Sequence, residues 1–253
     1  MTQVAHEEDF AAAQLPGSME VPASFPIVEL RQYSLHQGQR DTLIQLFERH
    51  FIEPQEALGM KVIGTFRDLD RPNRFVWLRG FSDMDSRLTG LSKFYSGRTW
   101  EAHRQAANRT MIDSDNVLLL RAPDAAAAFG RAPVRPRISD RRASSLVLGT
   151  ICHLSKSAKK AAEIFRRQVV PRLAQVGAEP LAWFIPEAAP NNYPRLPVRE
   201  GEQVLVWFLR LPSAEDHSAR KSAIDAATEP LEGVLESPPE LLRLAPTSRS
   251  ELR

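Results

Sequence analysis

The chain has 253 residues, of which 43% are hydrophobic and 25% are charged, and its formal net charge is +2 at pH 7. This near balance excludes a global electrostatic field that would favour nucleic acid or a membrane as partner. The single cysteine, Cys152, excludes an internal disulfide and fits a reducing compartment. Glu7, Glu8 and Asp9 stand where a signal peptide would carry basic residues, and no apolar run is long enough to cross a bilayer. We therefore expect a cytoplasmic protein without membrane contact.

Hydrophobic periodicity predicts the elements of the first half, which we assign to residues 26–122. Residues 1–25 lack periodicity and are predicted to be a disordered tail. The pattern then predicts strands at 27–35, 60–66, 74–81 and 117–121, and helices at 41–58, 83–94 and 99–111. The order is β-α-β-β-α-β, which is typical of a ferredoxin-like unit.

The second half is predicted to repeat this order. Residues 123–144 are rich in Ala, Pro and Arg, lack a pattern and are interpreted as a solvated linker. Residues 145–246 follow as a second, divergent unit, with strands at 145–154, 178–186, 203–210 and 240–245 and helices at 157–176 and 213–229. Short sequence similarities support the repeat: residues 46–66 resemble 164–184, and residues 75–78 resemble 205–208. A repeat of this length indicates two like domains in one chain.

A four-stranded antiparallel sheet with both helices on one face leaves its other face uncovered. Two such sheets that face each other solve this problem, and the repeat supplies both of them. We therefore predict an α+β protein made of two tandem ferredoxin-like (βαββαβ) units whose sheets face each other. Because this contact is already made inside the chain, we expect a monomer with an internal pseudo-dimer, or a weak homodimer.

The first and third predicted strands carry an unusual polar and aromatic set on one face, because side chains alternate along a strand. Their aliphatic positions, Val28 and Leu30 on the first strand and Val76 and Leu78 on the third, suit the helix-packed face. We therefore predict that the opposite face lines a cavity between the sheets with Glu29, Arg31, Tyr33, Phe75, Trp77, Arg79 and Phe81. The alternative is an ion-pair network that only fixes the pairing of the two halves.

A second cluster lies on the last predicted helix of the first half, after the Ser-Gly interruption at 96–97. Trp100, His103, Arg104 and Ala107 lie about one turn apart on this helix. Tyr95, just before the interruption, and Asn108 belong to the same cluster. His103 has the ordinary pKa range of a general acid or base. The alternative is a hydrogen-bonded structural histidine.

These segments resemble the NIPSNAP family. The resemblance rests on Asp70-Arg71-Pro72-Asn73-Arg74-Phe75-Val76-Trp77-Leu78-Arg79-Gly80-Phe81, then Phe94-Tyr95, Trp100, His103-Arg104, Asn108 and Asp113-Ser114-Asp115-Asn116-Val117, and on the opening Glu29-Leu30-Arg31-Gln32-Tyr33 with Gly38. It covers residues 27–121 and is fainter over 145–245. It implies the dimeric α/β-barrel fold, here closed within one chain. Relatives of that fold include cofactor-free monooxygenases, haem-degrading enzymes and small-molecule isomerases, so the resemblance implies a fold and a range of chemistries.

Three hypotheses for the function follow. In the first, a metal-free enzyme of monooxygenase or isomerase type takes a small, largely apolar organic molecule into the barrel cavity. Arg79 and Arg31 hold its carboxylate or oxyanion, and His103 or Glu29 moves the proton. The remaining candidate ligand-binding residues are Tyr33, Trp77, Tyr95, Trp100 and Asn108.

The second hypothesis is a carrier or sensor that uses the same pocket without chemistry, and the third is an interaction scaffold. The enzyme requires His103 or Tyr95 to reach the cavity, whereas an interior filled by side chains favours the scaffold. We expect no cofactor and no metal, because the histidines are isolated from one another and from Cys152. The second half lacks the polar set, since Leu209 stands where Arg79 stands in the first, so we place the site in the first half.

Overall fold

The computed structural model describes residues 25–130, 135–137 and 143–253. The predicted tail lies outside the described residues except for residue 25, as do residues 131–134 and 138–142 of the predicted linker. In the first half the elements are β1 (Ile27–Leu35), α1 (Arg40–His50), α2 (Ile52–Glu56), β2 (Lys61–Asp68), β3 (Arg74–Phe81), α3 (Met84–Tyr95), α4 (Arg98–Asn108), β4 (Met111–Asp113) and β5 (Val117–Arg121).

The second half follows with a similar order of elements. They are β6 (Leu146–His153), α5 (Ala158–Ile164), a π-helical turn (Phe165–Val169), α6 (Val170–Gln175), β7 (Pro180–Pro186), β8 (Val204–Leu211), α7 (Ala214–Thr228), a 3-10 turn (Glu229–Val234) and β9 (Glu240–Pro246). The predicted helix at 157–176 matches the continuous run from α5 to α6. In the part of the chain that the structure describes, no helix has the length and apolarity that a membrane span requires.

The strands close into an antiparallel barrel. Their order is β3-β2-β9-β6-β8-β7-β5-β1, and β1 pairs with β3 to complete the circle. The halves join where Phe66 and Asp68 of β2 pair with β9 and where Leu120 and Arg121 of β5 pair with β7. The short β4 pairs with the end of β1, at Ser34 and Leu35, beyond the part of β1 that pairs with β5. The prediction of an α+β protein whose antiparallel strands form a barrel is confirmed.

Aliphatic and aromatic side chains fill the interior of the barrel. Val28, Leu30, Val76 and Leu78 belong to one buried cluster with Phe208 of the second half. Packing is close enough that glycines are required beneath the rings: a Cβ on Gly64 would come within 2.4 Å of the Phe66 ring, and a Cβ on Gly149 within 3.0 Å of the Phe208 ring. These contacts leave the barrel interior as a packed core.

The prediction that the polar set faces the space between the sheets is therefore wrong. Tyr33, Phe75 and Trp77 share a second buried cluster with Phe47 of α1 and Phe94 of α3, so this face lies under the helices. The reason is polar: apolar side chains, aromatic ones included, fill the interior of the barrel. In the layer under the helices, Gln55 of α2 and Arg87 of α3 reach the charged groups of the sheet.

Two further differences from the sequence predictions concern local structure. The predicted helix at 41–58 is broken at Phe51 into α1 and α2, and α4 ends at Asn108, so that Met111 begins the unpredicted strand β4. In the predicted linker, Ala127, Ala128 and Phe129 are buried, and the Phe129 ring lies 5.3 Å from that of Phe184. The interpretation of a solvated connector is wrong for these residues, because their apolar side chains join the core.

Candidate functional site

A buried carboxylate with three arginines around it forms the centre of the site. Glu29 and Arg79 are directly opposite each other on β1 and β3, and Arg31 follows two residues along β1 on the same face. Arg87 comes from the first turn of α3, which begins at the cap formed when Asp83 accepts a hydrogen bond from the Ser86 amide. All four charged side chains are at most 1% exposed. We call Glu29, Arg31, Arg79 and Arg87 the arginine cluster.

The geometry of the arginine cluster is that of direct ion pairs. Glu29 Oε2 lies 2.6 Å from Arg79 Nη2 and 2.9 Å from Arg31 Nη1, and Glu29 Oε1 lies 2.7 Å from Arg87 Nη2. Burial by itself would raise the pKa of Glu29, but the guanidiniums of Arg79, Arg31 and Arg87 together hold it well below its usual range. Glu29 is thus an ionised counter-ion, and both of its carboxylate oxygens pair with arginines. This arrangement does not favour a role in proton transfer.

One carboxylate does not neutralise three guanidiniums, so the arginine cluster carries two positive charges in excess. Neutral groups disperse part of this charge. Arg31 Nε donates to the Tyr33 hydroxyl at 2.9 Å, and Arg79 Nη1 donates to Gln55 Oε1 at 3.0 Å. The Trp77 ring centre lies 5.6 Å from the Arg31 guanidinium and 5.0 Å from that of Arg79, which are cation–π distances. The excess charge still makes this layer a strongly positive environment.

Above the arginine cluster lies a small cavity walled by aromatic rings. Its volume is about 40 Å³, which is space for a few water molecules. Its walls come from the sheet and from every helix of the first half, and they include Tyr33, Phe47, Phe51, Gln55, Trp77, Phe94, Tyr95, Trp100 and Met111. We call this space the aromatic cavity. The cavity and the arginine cluster share three neighbours. Tyr33, Gln55 and Trp77 line the cavity and also contact Arg31 or Arg79.

The structure brings most of the predicted site residues together and leaves two apart. Tyr95 and Trp100 line the aromatic cavity. His103 is half-buried on α4, where its ring stacks on that of His50 with centres 3.9 Å apart, and Phe51 separates it from the cavity. Asn108 is exposed and borders a shallow surface depression with Arg104. Tyr95 thus lines the aromatic cavity and His103 does not, but the barrel interior to which the enzyme hypothesis referred is filled by side chains, as the scaffold hypothesis expects.

The stacked pair of histidines gives a prediction for their titration. Burial, and after it the proximity of His103 and Arg49, lowers the pKa of His50. We expect His103→Gln to raise the pKa of His50 toward its ordinary value, because a neighbour that can become positive is removed. NMR titration of the His50 ring protons measures this pKa. The matched variant His153→Gln, in the second half, should leave the titration unchanged, and an equal response to both variants would contradict the stacking.

Several residues of the site escaped the sequence interpretation. Arg87 shares a helical stripe with Leu91 and Phe94, so a charge in an apolar stripe was a signal that could have been used. The loop between β7 and β8 covers the site from the second half: Arg87 Nη1 donates to Asn191 Oδ1 at 3.0 Å and to Asn192 Oδ1 at 2.7 Å. Tyr193 stacks on Tyr95 with ring centres 6.1 Å apart. No local pattern in the sequence links this loop to α3.

The second half repeats the strand register of the first without its charges. Leu148 pairs with Leu209 and Thr150 pairs with Trp207, as Glu29 pairs with Arg79 and Arg31 with Trp77. Among the described residues, no three His, Cys, Asp or Glu side chains come together in a group that could hold a metal ion. The charged constellation thus belongs to one half of the barrel.

A closed antiparallel barrel with helices on its outside defines a protein of the dimeric α/β-barrel type, and comparison with solved structures agrees. A candidate monooxygenase from Lactobacillus acidophilus NCFM is 12% identical, with a TM-score of 0.57, and the match covers 89% of this chain and 97% of that one. A second candidate monooxygenase, from Fusobacterium nucleatum subsp. nucleatum ATCC 25586, is 9% identical (TM-score 0.57; 88% and 93% covered). An anthrone oxidase-like protein is 11% identical (TM-score 0.53; 87% and 91% covered). At these identities the likeness concerns the fold alone.

The family model that matches is NIPSNAP, over residues 28–125. Residues 28–125 of the first half thus match the NIPSNAP model, and the predicted resemblance is confirmed there. No curated protein matches the chain. The matched range contains the whole arginine cluster and every residue of the aromatic cavity.

Proposed function

We propose that the aromatic cavity, rather than the barrel interior, binds a small, largely apolar organic molecule that carries an oxyanion. The observation that carries this proposal is the pair of excess positive charges buried directly beneath the aromatic walls. Buried charge without a full complement of counter-charge is costly, and an anionic group in the cavity would lower that cost. The aromatic walls favour a planar ligand.

Two hydrogen-bond donors support the same ligand class. Burial raises the pKa of Tyr33 despite the opposing effect of Arg31, so the phenol keeps its proton near neutral pH. Its oxygen accepts from Arg31, which leaves its own hydrogen to donate to a ligand. Among the described residues, Nε1 of Trp77 has no hydrogen-bond partner. A phenolate or enolate oxygen between Tyr33 and Trp77 would satisfy both donors.

The chemistry that suits such a site is loss of a proton from a phenol or an enolisable ketone. The positive field and the two donors stabilise the resulting oxyanion and make the proton easier to remove. In this proposal the proton leaves to water, and His103 is given no role. The solved structures that share this fold include candidate monooxygenases and an anthrone oxidase-like protein. This likeness favours an oxygenase in which dioxygen reacts with the enolate without a metal or other cofactor.

The aromatic cavity is too small for an organic ring as it stands, so the proposal requires its walls to move. Tyr95 and Trp100 are only half-buried and lie at the junction of α3 and α4. Ala107 is the buried residue of α4, so this helix is held by little apolar contact. Outward movement of the α3–α4 junction would open the cavity without disturbing the sheet.

We also propose that residues 26–122 and 145–246 are tandem ferredoxin-like units. The strand order β5-β1-β3-β2 in the first half has the same form as β9-β6-β8-β7 in the second. We further propose that the protein is cytoplasmic. We also propose that it acts as a monomer, because the inner faces of both sheets are already used in the barrel.

Binding of 4-nitrophenol tests the proposed site, because its absorbance distinguishes the phenol from the phenolate. We expect the bound probe to ionise at lower pH than the free probe, owing to the arginine cluster. Tyr33→Phe should weaken binding about three- to tenfold, since one hydrogen bond is lost. Tyr193→Phe is the matched control, because Tyr193 stacks on Tyr95 from outside the cavity. No spectral change with folded protein, or equal effects of the two variants, would refute the site.

An oxygen electrode separates an enzyme from a carrier at the same site. With anthrone as probe, protein-dependent uptake of dioxygen that falls in Tyr33→Phe supports the oxygenase. Binding of anthrone without uptake supports the carrier. Neither outcome depends on the assignment of a particular base.

A scaffold is the second candidate function, because the barrel interior is packed and the aromatic cavity is small. Arg87 also holds Asn191 and Asn192 of the second half, as expected of a cluster that fixes the pairing of the halves. The scaffold predicts that neither 4-nitrophenol nor anthrone binds to the folded protein.

A further inference from the structure

A second and larger cavity lies in the other half of the barrel, and it is separate from the site described above. It lies between the outer face of β6 and β8 and the layer formed by α7 and the following 3-10 turn. Its volume is about 410 Å³, which is in the range of small-molecule sites. Leu148, Thr150 and Cys152 of β6 and Trp207 and Leu209 of β8 form its floor.

The cavity exists because α7 covers the sheet poorly. Of its fifteen residues, His217 and Ala227 are the buried ones. In the first half, Phe94 of α3 and Trp100 of α4 fill the corresponding layer. In the second half, alanines and the half-buried Ile224 take that place, and Leu241 at the margin remains 40% exposed. The floor residues Leu148, Cys152, Trp207 and Leu209 are at most 2% exposed, so the open space lies above them, beside α7 and Leu241.

A buried hydrogen-bond donor indicates what this space would hold. Trp207 lines the cavity and is 2% exposed, yet within the described part of the chain its Nε1 has no hydrogen-bond partner. Trp183 shares this property but does not line the cavity. A buried N–H without an acceptor is costly, so a ligand that displaces the side chains covering Trp207 and presents one acceptor oxygen to its Nε1 would gain a hydrogen bond that the empty protein lacks.

The charges around the cavity argue against an anionic ligand. Exposed Glu229 and Glu232 stand at the rim, and Lys221 is already paired with Asp225 at 2.6 Å. Burial lowers the pKa of His217 and raises the pKa of the Cys152 thiol to about 12, so both side chains are neutral near pH 7. The lining therefore offers apolar surface and a neutral donor, without a free cation to hold a carboxylate.

We propose that the second half holds a separate binding site for an uncharged, largely apolar molecule with a carbonyl oxygen, which accepts a hydrogen bond from Trp207. The two halves then present equivalent sheet positions to different ligands. Trp77 serves an anion in the first half, and Trp207 serves a neutral carbonyl compound in the second. This proposal is independent of the function proposed for the first half.

The test uses prodan, a neutral naphthyl ketone whose emission reports the polarity of its surroundings and hydrogen bonding to its carbonyl. We expect prodan to bind the full chain with a blue-shifted emission. Trp207→Phe keeps the aromatic surface but removes the N–H, so it should weaken prodan binding about three- to tenfold. It should leave the binding of 2-(dimethylamino)naphthalene, which lacks the carbonyl, nearly unchanged.

Trp183→Phe is the matched control, because it removes the N–H of another buried indole of the second half that does not line the cavity. Ile224→Phe on α7 provides an independent variant that narrows the cavity from the helix side without altering the sheet, and it should weaken the binding of both naphthalenes. The chain has four tryptophans, so its indole N–H signals are resolvable by NMR. Prodan should move the signal that Trp207→Phe removes.

The proposal is overturned if prodan does not bind, if Trp183→Phe weakens its binding as much as Trp207→Phe, or if Ile224→Phe has no effect. It is also overturned if the Trp207 indole signal stays unchanged when prodan binds to the wild-type protein. This last measurement is made on the wild-type protein, whose indole signals triple-resonance NMR assigns, so misfolding of Trp207→Phe does not protect the proposal.

Discussion

Glu29→Gln is expected to lower the free energy of unfolding by about 3–5 kcal/mol, because three buried guanidiniums then lose the carboxylate that they share. Glutamine has nearly the same shape and retains an acceptor oxygen, so the loss reports charge rather than a cavity. Urea denaturation followed by fluorescence measures the change. A full loss of folded protein in the absence of urea is the extreme form of the same result.

Glu163→Gln is the matched control for this experiment. Glu163 pairs with Arg167 at 2.9 Å, but both side chains are more than half exposed, and such pairs contribute roughly 0.3–0.5 kcal/mol. Similar losses in Glu29→Gln and Glu163→Gln would mean that the arginine cluster is compensated in some other way, and the case for an anion site would fail with it.

The same pair of proteins gives a prediction for pH dependence. The pKa of Glu29 is depressed in the folded state, whereas in the unfolded chain it returns to about 4.5. The contribution of Glu29 to the free energy of unfolding is therefore complete above pH 4.5 and declines as the pH falls below it. The reason is that the unfolded state then binds a proton that the folded state does not bind. The difference in unfolding free energy between wild type and Glu29→Gln should be constant near neutrality and narrow in acid. A difference that widens in acid would contradict the depressed pKa.

Phe66→Ala is expected to lower the free energy of unfolding by about 3–5 kcal/mol, since it opens a cavity in the packed interior of the barrel. Gly64→Ala alone should cost about 1–3 kcal/mol, because the new Cβ meets the Phe66 ring. In the Phe66→Ala background the ring is gone, so Gly64→Ala should cost little or even stabilise. Denaturation of the four proteins of this double-mutant cycle measures the coupling.

Gly149→Ala controls for the effect of alanine on a strand glycine, because its Cβ would stay 3.0 Å from the Phe208 ring instead of 2.4 Å from Phe66. It should cost less than Gly64→Ala. If Phe66→Ala were nearly neutral, the barrel interior would not be the packed core described here, and a ligand cavity between the sheets would have to be considered again.

The order of strands and helices was predictable because each element carries its own period, and the short sequence similarities between the halves led to the prediction of the barrel. Alternation also separated Glu29, Arg31 and Tyr33 correctly from Val28 and Leu30. It did not reveal which set faces the helices, because a period of two is symmetric about the plane of the sheet. That choice depends on partners from distant segments: the barrel interior is filled by apolar side chains, whereas helices bring Gln55 and Arg87 to the charged face.

The candidate site was only partly predictable for a related reason. Its sheet residues follow from one strand pair, but Arg87 arrives from a helix and Asn191 and Asn192 from a loop more than one hundred residues further on. His103 was a reasonable candidate by residue type, yet its neighbour His50 lies on another helix. Contacts between distant segments depend on tertiary packing, which no local pattern encodes.

In a barrel assembled from two copies of one chain, every mutation is made twice, and both pockets must change together. Here the seams between β2 and β9 and between β5 and β7 join unequal halves of a single polypeptide. Evolution can therefore alter one pocket at a time. The apolar half can supply the folding stability that tolerates a buried, charged centre in the other, a division of labour that a symmetric homodimer does not allow.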